Sequence, residues 1–111
     1  MSTSSQNTSP FRPDALQNKV ALVTGGGSGI CFEITKQLLL HGCQAAIICG
    51  RRESFLIKSS KELSKITGKI CAYKVCDVRN FEACASVVEY AMNTFQRLDI
   101  VVNGAAGNFL A

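Results

Sequence analysis

Lys19-Val20-Ala21-Leu22-Val23-Thr24 runs straight into Gly25-Gly26-Gly27-Ser28-Gly29-Ile30, and this junction decides the fold. The first half is apolar after Lys19 and rich in β-branched side chains, as a strand covered on both faces should be. The second half is too rich in glycine to continue a strand. Beyond it Ile30, Ile34 and Leu38 recur every four residues, which predicts a helix ending at His41 and Gly42. Glycines between a buried strand and a helix let backbone N–H groups approach a pyrophosphate that also feels the helix dipole. A triphosphate-binding loop would close on Gly-Lys-Ser/Thr, and no Lys lies between Lys19 and Lys36, so the junction favours a dinucleotide. A plain glycine turn is the bland alternative.

The same alternation of apolar runs and amphipathic stretches continues outward. Gln44 to Cys49 reads as a second strand, and Glu53 to Thr67 as a helix with Leu56, Leu63 and Ile66 on one face, closed by Gly68. Lys69 to Val75 reads as a third strand. Asn80 is placed to cap a third helix, in which Phe81, Cys84, Val88, Ala91 and Phe95 form a stripe at helical spacing. Leu98 to Asn103 reads as a fourth buried strand, and a loop begins at Gly104. The order β-α-β-α-β-α-β with such apolar strands implies a parallel sheet with crossover helices. This is the N-terminal portion of an α/β doubly wound, Rossmann-like sheet. Residues 1–14, rich in Ser, Thr and Pro, read as a flexible leader without the apolar stretch of a secretory peptide, and residues 15–111 as the folded part.

Composition sets bounds on this reading. A folded chain of 111 residues buries about 65% of the surface its unfolded form exposes, enough for one modest core. Hydrophobic residues at 47% against 18% charged exclude a disordered chain or a supercharged nucleic-acid arm. The net charge of +4 is mild and carries meaning only where the positive groups converge. The longest apolar run, Ala45 to Cys49, falls far short of the roughly 20 residues of a membrane span. The six cysteines, at 31, 43, 49, 71, 76 and 84, include no CxxC pair and no histidine at ligand spacing, so they read as buried thiols and no metal is expected. His41, the only histidine, reads as a helix-terminal cap.

Three strand ends carry further chemistry. An acidic residue after the second strand would accept from the ribose 2'-hydroxyl of NAD, but Gly50, Arg51 and Arg52 stand there. Guanidinium groups grip a 2'-phosphate in a bidentate fork, so NADP is the expected cofactor. The alternative is two exposed arginines opening a helix, although cations there meet an unfavourable dipole that asks for an anion. Asp77, followed by Val78 and Arg79, is suited either to accept from an adenine amino group or to cap the next helix. Asn103 and Ala105, within the small-residue stretch after the fourth strand, would let the adenosine half of a cofactor lie on the backbone, or form an ordinary turn.

These residues resemble the short-chain dehydrogenases/reductases. TGGGSGI matches the first seven positions of that family's TGxxxGxG loop, Asp77-Val78 resembles its adenine-contacting pair, and NGAAG resembles its Asn-x-Ala-Gly segment. FRPDAL, GGGSGI, HGC, GRR, DVR and above all AAGNFLA are similar to the 2,4-dienoyl-CoA reductase branch, especially its peroxisomal members. The resemblance implies that Gly25, Gly26, Gly27, Ser28, Gly29 and Ile30 cradle the NADP pyrophosphate and that Arg51 meets the 2'-phosphate side, where the residue chemistry above also places Arg52. By the same resemblance Asp77 and Val78 contact adenine, Arg51 and Arg79 meet the coenzyme A phosphates of an acyl-CoA substrate, and Asn108 and Phe109 line the acyl pocket. It further implies hydride transfer from NADPH to the far end of a conjugated dienoyl thioester, a homo-oligomeric parent protein, no nucleic-acid partner, and a peroxisomal location, with the cytoplasm as alternative.

Two departures stand out. Cys31 occupies the last glycine position of the loop pattern, where a side chain is expected to push the helix outward or weaken cofactor binding. A helix N-terminus can also lower a thiol pKa, a redox route that ranks below simple tolerance of the substitution. The family's catalytic Tyr is followed four residues on by Lys, but here Tyr73 precedes Asp77 and Tyr90 precedes Thr94 at that spacing. No catalytic residue is therefore assigned within the chain. The Tyr/Lys pair is expected beyond Ala111, making this the cofactor-binding part of a longer enzyme. Another substrate of the same family, or an inactive nucleotide-binding or subunit-interaction product, are the alternatives.

Overall fold

The computed structural model describes residues 15–25 and 29–104. The leader, loop residues Gly26, Gly27 and Ser28, and the segment holding Ala105, Asn108 and Phe109 lie outside them. The elements follow in the expected order: β1 (Val20–Thr24), α1 (Gly29–Leu40), β2 (Ala45–Gly50), α2 (Glu53–Thr67), β3 (Ile70–Val75), α3 (Phe81–Phe95) and β4 (Ile100–Asn103). The strands form one parallel sheet in the order β3-β2-β1-β4. The chain thus steps outward from β1 to β3, then returns to place β4 on the other side of β1. This reversal creates a crevice at the carboxyl ends of β1 and β4, the position where open α/β sheets bind ligands.

Alternate strand residues serve two cores. Ala21, Val23, Ala46 and Ile48 pack with Cys31 and Leu39 of α1 and Leu56 and Leu63 of α2. Val20, Leu22 and Ile47 face the other way, onto Val87 and Ala91 of α3. The side-chain period of two explains why β1 and β2 read as unbroken apolar runs: both faces are covered.

The outer strands correct the expectation of uniform burial. In β4, residues alternate between half-buried and exposed, with Val101 60% exposed. In β3, Ile70 and Val75 are also exposed. Both strands lie at an edge among the described residues, and apolar composition alone does not distinguish edge from centre.

The helix stripes shift in a similar way. In α1 the buried residues are Cys31, Thr35 and Leu39, one position beyond the expected stripe, and Ile30 is exposed. Thr35 enters the core because its hydroxyl donates to the Cys31 carbonyl at 2.7 Å, leaving no polar group unpaired. In α2 Leu56 and Leu63 are buried, but Ser59 and Ser60 complete the face and Ile66 is exposed. In α3 Val87 and Ala91 are buried, Cys84 and Phe95 pack at the margin, and Phe81 and Val88 are exposed.

Helix ends follow ordinary capping chemistry. Asn80 accepts from the Ala83 N–H at 3.0 Å, as its spacing predicts, and Gly68 ends α2 at φ +71°. His41 pairs through Nδ1 with the Gln37 carbonyl, and Lys69 reaches from the start of β3 to donate to the Leu39 and Cys43 carbonyls. Gly42 has φ +121°, and a Cβ there would lie 2.9 Å from the Gln17 nitrogen, so glycine is required at this turn. No described helix is long and apolar enough to cross a membrane.

Candidate functional site

The candidate site is built at the carboxyl ends of the three neighbouring strands β1, β2 and β3. Gly25 leaves β1 at φ +72°, a left-handed conformation suited to glycine, and its N–H donates to the Cys49 carbonyl at 2.8 Å. That bond holds the start of the loop against β2. Gly29 opens α1 at φ +57°, and Ile30 follows it exposed in the first turn. The first amides of such a helix lack internal acceptors and carry the positive end of its dipole.

Gly25, Gly50 and Arg51 form the shared wall of two adjoining clefts. One, of about 370 Å³, is completed by Cys49, Arg52, Phe55 and Leu56. The other, of about 320 Å³, is completed by Cys76, Asp77, Val78 and Arg79. The expected residues Gly25, Arg51, Arg52, Asp77, Val78 and Arg79 are therefore brought together at one mouth. A third, mainly apolar cavity of about 230 Å³ lies on the α3 side and is lined by Val78 and Asn103 among others. Asn103 accepts a 3.0 Å hydrogen bond at Oδ1 from the Thr24 hydroxyl, which ties the ends of β4 and β1 together.

The mouth carries three guanidinium groups and one carboxylate. Asp77 Oδ1 accepts from the backbone N–H and Nε of Arg79 at 3.0 and 3.1 Å, and Oδ2 accepts from Nη2 at 2.9 Å. These bonds, with a smaller contribution from the charge of Arg51, hold the Asp77 carboxyl down at about 2. Asp77 is not the cap of α3, since Asn80 fills that role. Its carboxylate shapes the turn that presents Val78 and Arg79.

Arg52 is the N-cap residue of α2, in extended conformation and without a side-chain cap bond. Its guanidinium lies 5.1 Å from the centroid of the Phe55 ring, and Glu53 supplies an acid in the first turn. The helix dipole is thus already compensated, and the case for an anion rests on the convergence of Arg51 and Arg52 on Gly25. Phe55 is the residue missed by sequence reasoning. Its signal was the i,i+3 spacing from Arg52, which puts a ring beside a cation on a helix surface.

Cys31 is buried beside the end of β4. Its Sγ packs against Gly104, filling the space that a side chain at 104 would need. The parallel pairing of β1 with β4 continues undisturbed to Thr24 and Asn103. Burial pushes the Cys31 thiol pKa up, against the lower-ranked redox route and in keeping with a tolerated substitution. Cys49 and Cys71 are pushed up to about 12 for the same reason. All six cysteines are free thiols, five of them buried and Cys84 half-buried. Among the described residues no cluster of His, Cys, Asp or Glu is arranged to hold a metal ion.

Comparison with known proteins agrees with this geometry. The family profile for short chain dehydrogenase matches residues 19–110. The chain is 47% identical to a peroxisomal 2,4-dienoyl-CoA reductase of Arabidopsis thaliana, with 93% of this chain and 34% of the relative covered. It is 42% identical to the protein of that name from Danio rerio, with 90% and 33% covered. The chain therefore spans about one third of the length of the curated relatives it matches. Among solved structures, citronellol catabolism dehydrogenase of Pseudomonas aeruginosa superposes with a TM-score of 0.78 at 29% identity, covering 87% of this chain and 40% of that one. L-sorbose reductase of Gluconobacter frateurii, complexed with NADPH and L-sorbose, gives 0.75 at 26% identity, covering 81% and 34%. Sheet order, loop position and sequence similarity lead to one conclusion: the chain belongs to the short-chain dehydrogenase family.

Proposed function

We propose that this chain is the NADP-binding portion of a reductase acting on 2,4-dienoyl-CoA thioesters in unsaturated fatty acid β-oxidation. The observation that carries the cofactor choice is the convergence of Arg51 and Arg52 with Gly25 on one cleft, at the strand end where an acid would favour NAD. Positive φ at Gly25 and Gly29 suits the close approach of a pyrophosphate to backbone amides, so these residues fit a dinucleotide. The names of the similar proteins support the substrate class and a peroxisomal location.

In this reading Gly25 to Ile30 bind the pyrophosphate and Arg51 and Arg52 select the 2'-phosphate. Phe55 holds its ring beside the Arg52 guanidinium and so helps to position it. Asp77 accepts from the adenine amino group while Val78 supplies an apolar floor. Asn103 and Ala105 give the cofactor a close backbone path. Arg79 and Arg51 meet the phosphates of an acyl-CoA, and Asn108 and Phe109 border its acyl chain. Bound NADPH supplies hydride to the distal carbon of the dienoyl system, and the thioester stabilises the resulting enolate. The complete protein is a homo-oligomer. Residues 1–111 lack a Tyr with Lys four positions on, so this piece alone binds the nucleotide without turnover.

A spectrophotometric assay of NADPH oxidation with a 2,4-dienoyl-CoA tests this reading. The parent protein oxidises NADPH only when the thioester is added, and residues 1–111 give the buffer rate. Turnover by residues 1–111, or a parent protein inert towards dienoyl-CoA, contradicts it. A second reading, a non-catalytic product that pairs with other subunits, is favoured by the apolar side chains of Phe81, Val88, Met92 and Val101 exposed on α3 and β4.

A further inference from the structure

Dinucleotide loops of the TGxxxGxG type end on a glycine so that the first turn of the helix packs closely on the sheet. This chain has Cys31 there, and yet Cys31 is only 4% exposed and belongs to the core formed by Val23, Leu39 and Ile48. The room for its sulfur comes from the end of β4, the strand beside β1 in the sheet. Gly104, directly after β4, has no side chain, and a Cβ built on it would overlap Cys31 Sγ and lie 3.0 Å from the Thr24 carbonyl oxygen. The Gly104 N–H donates to that same Thr24 oxygen at 3.2 Å, which keeps its backbone beside the end of β1. On the other side, the Thr35 hydroxyl bonded to the Cys31 carbonyl holds the first turn of α1 in place.

We propose that Cys31 and Gly104 are a complementary positioning pair, in which the missing side chain at 104 accommodates the added one at 31. The pair sets the spacing between the first turn of α1 and the end of β4, and thereby the crevice at the carboxyl ends of β1 and β4. Cys31 acts by its volume, and its thiol chemistry plays no part. Close-packed interiors make such pairs strongly non-additive, because each change is tolerated only in the presence of the other. The effect of the pair on cofactor affinity rests on the function proposed above. Its effect on packing does not.

The test is a double-mutant cycle on the 111-residue chain, with Gly104→Ala, Cys31→Gly and both together, read by thermal midpoint and by NADPH fluorescence titration. Gly104→Ala alone lowers the midpoint by about 5 °C or more, or leaves no soluble protein, and weakens NADPH by about tenfold. Adding Cys31→Gly recovers most of both losses, with the Thr24 oxygen keeping the double variant somewhat below the parent. Should Gly104→Ala not fold, recovery of a folded protein by the second change is itself the readout. A size series at 31 gives an independent check: Cys31→Ala stays close to the parent, whereas Cys31→Leu loses stability and affinity together. Additive effects, or free tolerance of Gly104→Ala, overturn the pair. If no variant and not even the parent chain binds NADPH, the thermal cycle still decides the pairing and the cofactor reading fails alone.

Discussion

The two flanks of β1 differ in how much of their surroundings this chain provides. On the β2 side, every residue of β2 from Ala45 to Cys49 is buried, and the mouth above it is walled by Arg51, Arg52, Phe55, Asp77 and Arg79, several with internal partners. On the β4 side, Val101 is 60% exposed, and Val88 and Met92 of α3 present apolar surface to solvent. The β2 side of the crevice is thus walled by charged and aromatic side chains, while the β4 side exposes apolar surface. The curated relatives named above are about three times longer than this chain.

Core substitutions give the largest test of that contrast. Leu63→Ala removes a fully buried side chain beneath α2 and is expected to cost about 3 kcal/mol, read as a lowered urea midpoint. Val101→Ser, of similar chemistry on the exposed flank, is expected to fall within about 0.5 kcal/mol. Equal losses would erase the distinction between the flanks. A smaller effect comes from the cleft itself. Phe55→Leu removes the ring beneath the Arg52 guanidinium and is expected to weaken NADPH about threefold, with NADH unchanged, in paired fluorescence titrations.

A pH dependence sharpens the picture at the opposite end of β1. The Asp99 carboxylate accepts from Nε and Nη2 of Arg97 and from the Val20 N–H at 2.9 Å, and these bonds hold its carboxyl down at about 2. A carboxylate depressed in the folded state contributes stability above its unfolded pKa of about 3.9, and that contribution is lost as pH falls through the folded value. Asp99→Asn is therefore expected to lower the thermal midpoint at pH 7, with the gap to the parent closing between about pH 4 and pH 2. A gap that stays constant across this window would remove Asp99 as its cause.

The central part of the fold was legible because its sequence is doubly constrained. β1 and β2 must satisfy helices on both faces, so they contain nothing but apolar and small residues until the glycines begin. Asn80 and Gly68 were equally readable, since a cap depends on local backbone geometry alone. The edge strands were misjudged because Ile100 to Val102 look like a central strand until the sheet order is known. The stripe of α1 was displaced by one residue because a threonine and a cysteine take core positions there, and hydrophobic periodicity gives them little weight. In the candidate site, Gly25, Arg51 and Asp77 were found from their places at strand ends. Phe55 and the Cys31 to Gly104 contact were not, since one depends on a side-chain approach and the other joins residues 73 positions apart.

The choice of cofactor is tested most directly by measuring NADPH and NADH dissociation constants for the 111-residue chain and for its Arg51→Glu/Arg52→Glu variant. The parent chain is expected to prefer NADPH by at least about tenfold, and the charge reversal to weaken NADPH by about 100-fold while leaving NADH within about threefold. Equal affinity of the parent chain for the two dinucleotides, or NADPH binding untouched by the reversal, would contradict the assignment of Arg51 and Arg52 to the 2'-phosphate.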